Sequence, residues 1–130
     1  MRLGYILESW NERAHARGLV FDSSTGFTVP DGSIHSPDGS RIASERWRAI
    51  PPERRIGYVG IVRDVCIEIV SPSQTFDETV RKALRYRDYG AGCAVVLDPQ
   101  QRRVRTDGIA PAGFPTNFRR VICDDAENEA

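Results

Sequence analysis

With 130 residues, 40% of them hydrophobic, the chain is long enough to bury roughly two-thirds of its unfolded surface in one domain, so no disulfide is needed to hold it. Eighteen Lys+Arg against eighteen Asp+Glu leave a formal net charge of zero, which excludes a global field drawing the protein onto nucleic acid and leaves only a local patch. Nearly all the cations are arginine. Lys82 is the one lysine in the chain, and lysine alone of the two can lose its proton or act as a compact point charge.

The three cysteines, Cys66, Cys93 and Cys123, are an odd number without CxxC spacing, the pattern of reduced thiols in a cytoplasmic protein. No apolar run reaches membrane-spanning length, and the N-terminus lacks the sections of a signal peptide, so no membrane partner is expected. His15 and His35 have no second ligand at metal spacing, which argues against zinc.

Leu3, Ile6, Leu7, Trp10 and Ala14 recur at helical spacing and predict an amphipathic helix over about 3–17, with Glu8 and Glu12 as an i, i+4 pair beside the apolar stripe. A β-rich stretch follows. Pro30-Asp31-Gly32-Ser33 predicts a tight turn joining 26–29 to 34–35 as a hairpin, and Pro37-Asp38-Gly39-Ser40 repeats the same four residues. Ser44 to Ile50 reads as a short helix with Ser44 as N-cap and Trp47 turned inward. A proline-started helical turn over 51–57 ends at glycine. Arg46, Arg48, Arg54 and Arg55 make this the most basic neighbourhood.

Arg63 to Ser73 organises the rest. Strict alternation puts Val65, Ile67 and Ile69 on one face of a strand and Cys66, Glu68 and Val70 on the other. One carboxylate thus stands among apolar neighbours. Either that face is open to water, or Glu68 is paired, protonated or bound to a cation. Pro72 ends the pairing. Thr75 with Glu78 forms a capping box for a helix running to about Tyr89 and stopped by Gly90. Phe76, Val80 and Leu84 form its core stripe, and Lys82, Tyr86 and Tyr89 a second stripe well away from the first. Spacing alone offers Lys82 a surface pair with Glu78.

Cys93 to Leu97 is continuous and apolar, as in a strand buried on both faces, and 102–106 returns as a polar edge strand. Strand, helix and strand make a unit whose strands 63–70 and 93–97 lie parallel through a right-handed crossover. From Asp107 onward Gly, Pro and Asn dominate until Phe118-Arg-Arg-Val-Ile-Cys123. A single domain over 1–123 and a frayed acidic tail over 124–130 complete the expectation.

The string FDSSTGFTVPDGSIHSPDGSRIASERW, then PPERR, DVCIEIVSPS, KALRYRDYGA and VLDP, closely resembles the Uma2 family, described as restriction endonucleases within the PD-(D/E)xK nuclease superfamily. The similarity runs from about Leu7 to Thr106. It implies an α/β (α+β) fold: a mixed, twisted sheet flanked by helices, restriction-endonuclease-like and truncated at the N-terminus. Carried over by position, the metal-binding aspartate falls on Asp38, with Asp31 in the twin turn as the rival, the glutamate on Glu68, and the lysine, borne by the following helix, on Lys82. Glu8 matches an accessory acid more weakly. The implied function is Mg²⁺- or Mn²⁺-dependent hydrolysis of DNA, with Asp38 and Glu68 as metal ligands and Lys82 as the catalytic cation.

A homodimer is expected to cover the edges of a shortened sheet. Two other functions fit the same residues. One is a degenerate member acting as a dimeric binding or scaffold module, in which Glu68 is paired with a protein group. The other is a nucleic-acid binder that uses Arg46, Arg48, Arg54 and Arg55 without chemistry.

Overall fold

A computed structural model describes residues 18–57 and 59–111. The expected first helix, with Glu8 and His15, and everything after residue 111 lie outside the described residues.

Seven strands and two helices follow in order. They are β1 (Gly18–Asp22), β2 (Phe27–Thr28), β3 (Ile34–His35), β4 (Gly39–Ala43), α1 (Ser44–Arg48), β5 (Val65–Ile69), α2 (Phe76–Asp88), β6 (Cys93–Asp98) and β7 (Arg103–Gly108). A 3-10 turn covers Pro52–Arg54. The main sheet has the order β1-β4-β5-β6-β7. Only β5 and β6 run parallel, in register Val65↔Cys93 through Ile69↔Leu97; the other pairs are antiparallel. The architecture is therefore a mixed α+β sheet, as the family resemblance implies, with five strands. α2 supplies the crossover from β5 to β6, and the polar strand β7 lies at the edge.

The alternation in β5 has a direct structural counterpart. Val65 and Ile67 pack with Cys93, Val95 and Leu97 on one face. On the other face Cys66 joins Phe27, Tyr86 and Ala91, while Val70 joins Val80, Ala83, Ala94 and Val96. Both faces of β5 are covered, so the water-facing alternative for Glu68 does not hold: the residue is 3% exposed. Each fully buried aliphatic side chain here contributes about 1.5–3 kcal/mol of transfer free energy.

α2 starts as its sequence dictates. The Thr75 side chain accepts from the Glu78 backbone N–H, and the Glu78 side chain accepts from the Thr75 N–H, an arrangement worth about 1 kcal/mol. Its last turn runs out at Gly90, whose φ of 116° is open to glycine and costly for other residues.

The β2–β3 hairpin forms across the Pro30–Ser33 turn, with Phe27↔His35 and Thr28↔Ile34 paired. Gly32, at φ 87°, supplies the left-handed step such a turn requires. α1 departs from expectation. Its N-cap is Ala43 rather than Ser44, with no side-chain cap; the carboxylate of Asp64 instead accepts the Ala43 N–H at 2.5 Å. An acid from a neighbouring segment satisfies the helix start, which local sequence does not reveal. Trp47 is half-buried and meets Phe21, ring centroids 5.9 Å apart.

Arg63 is fully buried. Its guanidinium lies 4.2 Å from the Phe21 ring centroid and 5.2 Å from that of Phe27 and donates to the Ile61 carbonyl at 3.1 Å. Burial holds its pKa below the usual arginine value. Planar stacking on aromatic faces is what makes arginine tolerable there.

Candidate active site

The ladder between β4 and β5 ends at Gly39↔Ile67. One residue earlier the two strands separate, and Asp38 stands in the opening. Its Oδ2 accepts the Ile69 N–H at 2.7 Å, so a side-chain oxygen satisfies a strand amide that β4 no longer reaches. The twin acid Asp31 is engaged elsewhere. Its Oδ1 accepts both the backbone N–H and the hydroxyl of Ser33 within an exposed turn, which holds its carboxyl below the ordinary aspartate value. Asp38, and not Asp31, is therefore the acid beside Glu68.

Glu68 points from β5 toward α2. Its Oε1 accepts the Tyr86 hydroxyl proton at 2.6 Å, and its Oε2 lies 3.5 Å from Lys82 Nζ. Asp38 lies near enough to Glu68 for its charge to raise the Glu68 carboxyl. Lys82 is 46% exposed at its side chain, so it bridges from solvent to the buried acid. Its rival Glu78 is folded back into the capping box. A turn, a central strand and the next helix thus bring Asp38, Glu68 and Lys82 together.

The electrostatics follow from that crowding. Burial, and then the neighbouring Asp38, push Glu68 from its ordinary 4.5 up to about 7, while the Tyr86 hydrogen bond and Lys82 pull the other way. Without a cation the carboxyl is consequently about half protonated near neutrality. Burial raises the Tyr86 phenol, and Glu68 raises it further, so Tyr86 remains a donor. Cys66 is likewise raised by burial and stays a thiol.

Tyr86 corrects the sequence reading. Its stripe was expected to lie well away from the core, yet the residue is fully buried. Packing explains the difference. The β2–β3 hairpin covers this flank of α2, setting the Phe27 centroid 6.1 Å and the His35 centroid 5.9 Å from Tyr86, with His35 and Tyr89 5.0 Å apart. The four-residue spacing that groups Lys82 with Tyr86 in the sequence places both where one acid can meet them; what the spacing does not show is that a hairpin covers Tyr86. Tyr86→Phe removes the donor that favours the charged form, so the Glu68 carboxyl is expected to titrate above 7 in that variant; carbon-detected NMR of the carboxyl measures the change.

The four arginines singled out by sequence do not join this cluster. Arg46 pairs with Asp64. Arg55 lies 5.7 Å from the Trp47 ring centroid and donates to the carbonyls of Ile50 and Arg48 at 2.9 and 3.1 Å. Arg48 and Arg54 are exposed. Half of that neighbourhood therefore holds α1 and the following turn in place.

Two carboxylates and one amine gather where two strands part, in an α+β protein built on a five-stranded mixed sheet. The family profile described as "Uma2: Putative restriction endonuclease" matches residues 1–106, and the chain belongs to that family. The fold is also similar to a crystal structure from Anabaena variabilis ATCC 29413, described as "a putative nuclease belonging to DUF820". The TM-score is 0.62 and sequence identity 21%, over 85% of this chain and 69% of the other. No curated protein matches the chain.

Proposed function

We propose that this protein is a divalent-cation-dependent endonuclease that hydrolyses DNA phosphodiesters, with Asp38 and Glu68 as ligands for Mg²⁺ or Mn²⁺ and Lys82 as the catalytic cation. The observation that carries this reading is that Glu68, buried on a central strand, faces both Asp38 and Lys82. The donor set fits the ion. Carboxylate oxygens are hard ligands, and the shared crowding of two acids is what a cation would relieve. Among the described residues no cluster of three or more His, Cys, Asp or Glu is present. Mg²⁺ needs none, since it binds through one or two carboxylates and fills its remaining positions with water and phosphate oxygens.

When bound, such a cation polarises the phosphoryl group and acidifies a water. The protein groups do the positioning. The Ile69 N–H fixes Asp38, the Tyr86 hydroxyl fixes Glu68, and Lys82 offers a charge that needs no reorganisation as negative charge builds on the phosphate. Incubating the protein with plasmid DNA and Mg²⁺ or Mn²⁺ is expected to give cleavage that EDTA stops. No cleavage with either ion, together with no Mn²⁺ binding by calorimetry, rejects the proposal.

One observation favours the scaffold reading instead: Tyr86 and Lys82 already satisfy Glu68 with protein groups. On that reading the protein binds no cation and remains stable without one. A homodimer is expected in either case, and sedimentation equilibrium measures it. The buried, free thiols of Cys66 and Cys93 support a cytoplasmic setting. Among the described residues no helix is long and apolar enough to cross a membrane.

A further inference from the structure

A cationic surface outside the site lies on β7 and the residue before it. Arg102, Arg103 and Arg105 are all exposed, and with Val104 and Phe76 they line a cleft of about 480 Å³. The Arg103 guanidinium lies 3.8 Å from the Phe76 ring centroid and donates to Gln101 Oε1 at 3.1 Å. Among the described residues none of the three is paired with an acid: the ion pairs are Arg46–Asp64, Lys82–Glu68 and Arg87–Asp107.

Register ties this stripe to the candidate site. Glu68 pairs with Val96 and Val96 with Arg105, so the three side chains leave the same face of the sheet. Two strand spacings, roughly 10 Å, separate the backbones of Glu68 and Arg105. Arg103, two residues away on the same strand, shares that face.

β7 flanks α2 at Phe76 and Arg87, while Lys82 and Tyr86 turn to β5. The arginines thus sit across the helix from the acids, at the end of the sheet where β5 and β6 finish. A second copy is a poor occupant for this edge. Antiparallel pairing of β7 with itself about Val104 or Arg105 would set arginine opposite arginine, and like charges across a strand pair repel.

We propose that the Arg102–Arg103–Arg105 edge carries the phosphodiester backbone of DNA engaged at the Asp38–Glu68–Lys82 site, a role the sequence had offered to Arg46, Arg48, Arg54 and Arg55. This rests on the phosphodiester reading of the site. Three exposed guanidinium groups in a cleft supply the bidentate, phosphate-matching donors such a backbone takes. They read no base sequence, so the contact is general to DNA.

Fluorescence anisotropy of a short labelled duplex across a salt series, in EDTA so that cleavage plays no part, tests the proposal. The variant is R102Q/R103Q/R105Q, and the control is R48Q/R54Q, with folding of both checked by circular dichroism melts. Each lost phosphate contact lowers the salt slope by about one. The β7 variant is expected to lose about two to three units of slope and at least about tenfold in affinity, while the control stays close to the parent. An unchanged slope in the β7 variant overturns the proposal. So does a change of oligomeric state in place of a loss of binding, which would make the edge a self-interface, or equal competition by polyglutamate, which would make the partner an acidic protein. A parent protein that binds through these arginines and never cleaves upholds this surface while rejecting the endonuclease reading.

Discussion

Glu68→Ala is expected to abolish Mg²⁺- or Mn²⁺-dependent DNA cleavage, a loss of roughly 10³-fold or more, since removal of a single preorganised electrostatic group already costs 10²–10³ in rate. Asp38→Ala should match it. Lys82→Ala should lose roughly 10²-fold, because it removes a stabilising charge and leaves both carboxylates in place. Tyr86→Phe should fall only about 10- to 100-fold, in the range of partners that orient a ligand. The ordering matters as much as any single value. Lys82→Ala with the parent rate would remove the amine from the mechanism, and a Tyr86→Phe loss equal to that of Glu68→Ala would mean the phenol does more than hold the acid. Plasmid nicking at fixed ion concentration, with native melting curves for each variant, reads all four.

The second large effect is on stability. Glu68 titrates near 7 in the folded protein against an ordinary 4.5, so the native state holds this proton more tightly than the unfolded chain. Its contribution is fully present below about pH 4.5 and is lost as pH rises through about 7, a change on the order of 3 kcal/mol. Glu68→Gln keeps an acceptor for Tyr86 and carries no charge at any pH, so it lacks this slope. Urea denaturation without divalent ion should place parent and E68Q close together at pH 5, with the parent less stable by on the order of 3 kcal/mol at pH 8. Adding Mn²⁺ at pH 8 should recover part of that deficit for the parent only, because a ligand of the native state stabilises it by mass action. A parent whose stability relative to E68Q does not change with pH would show that the folded protein pays nothing for this charge.

Sequence made the centre of the protein legible because its signals are local and periodic. The alternation through Val65–Val70 marked a strand with one acid among apolar neighbours, the Thr75–Glu78 box marked where α2 begins, and the absence of any other lysine drew attention to Lys82. Asp38 against Asp31 was not legible. Both sit in identical Pro-Asp-Gly-Ser sequences; the first is a hairpin turn, whereas in the second Gly39 and Ser40 already belong to β4, and only the parting of β4 from β5 singles out Asp38. Tyr86 was misplaced for a related reason. Helical spacing assigns a residue to a flank, but what covers that flank is a hairpin some fifty residues earlier in the chain. The Asp64 cap on α1 and the aromatic sandwich around Arg63 are tertiary in the same sense, set by partners that no local window contains.

The bond from Ile69 N–H to Asp38 has a consequence for folding itself. A slip of β5 by one residue would carry Glu68 to the opposite side of the sheet and leave the aspartate facing a different amide, so no partly registered sheet can present both acids to one point. If the proposed Asp38–Glu68 cation site holds, cation binding should gauge correct strand alignment: during refolding, uptake of Mn²⁺ should lag any compact species whose strands have formed but not yet settled into register.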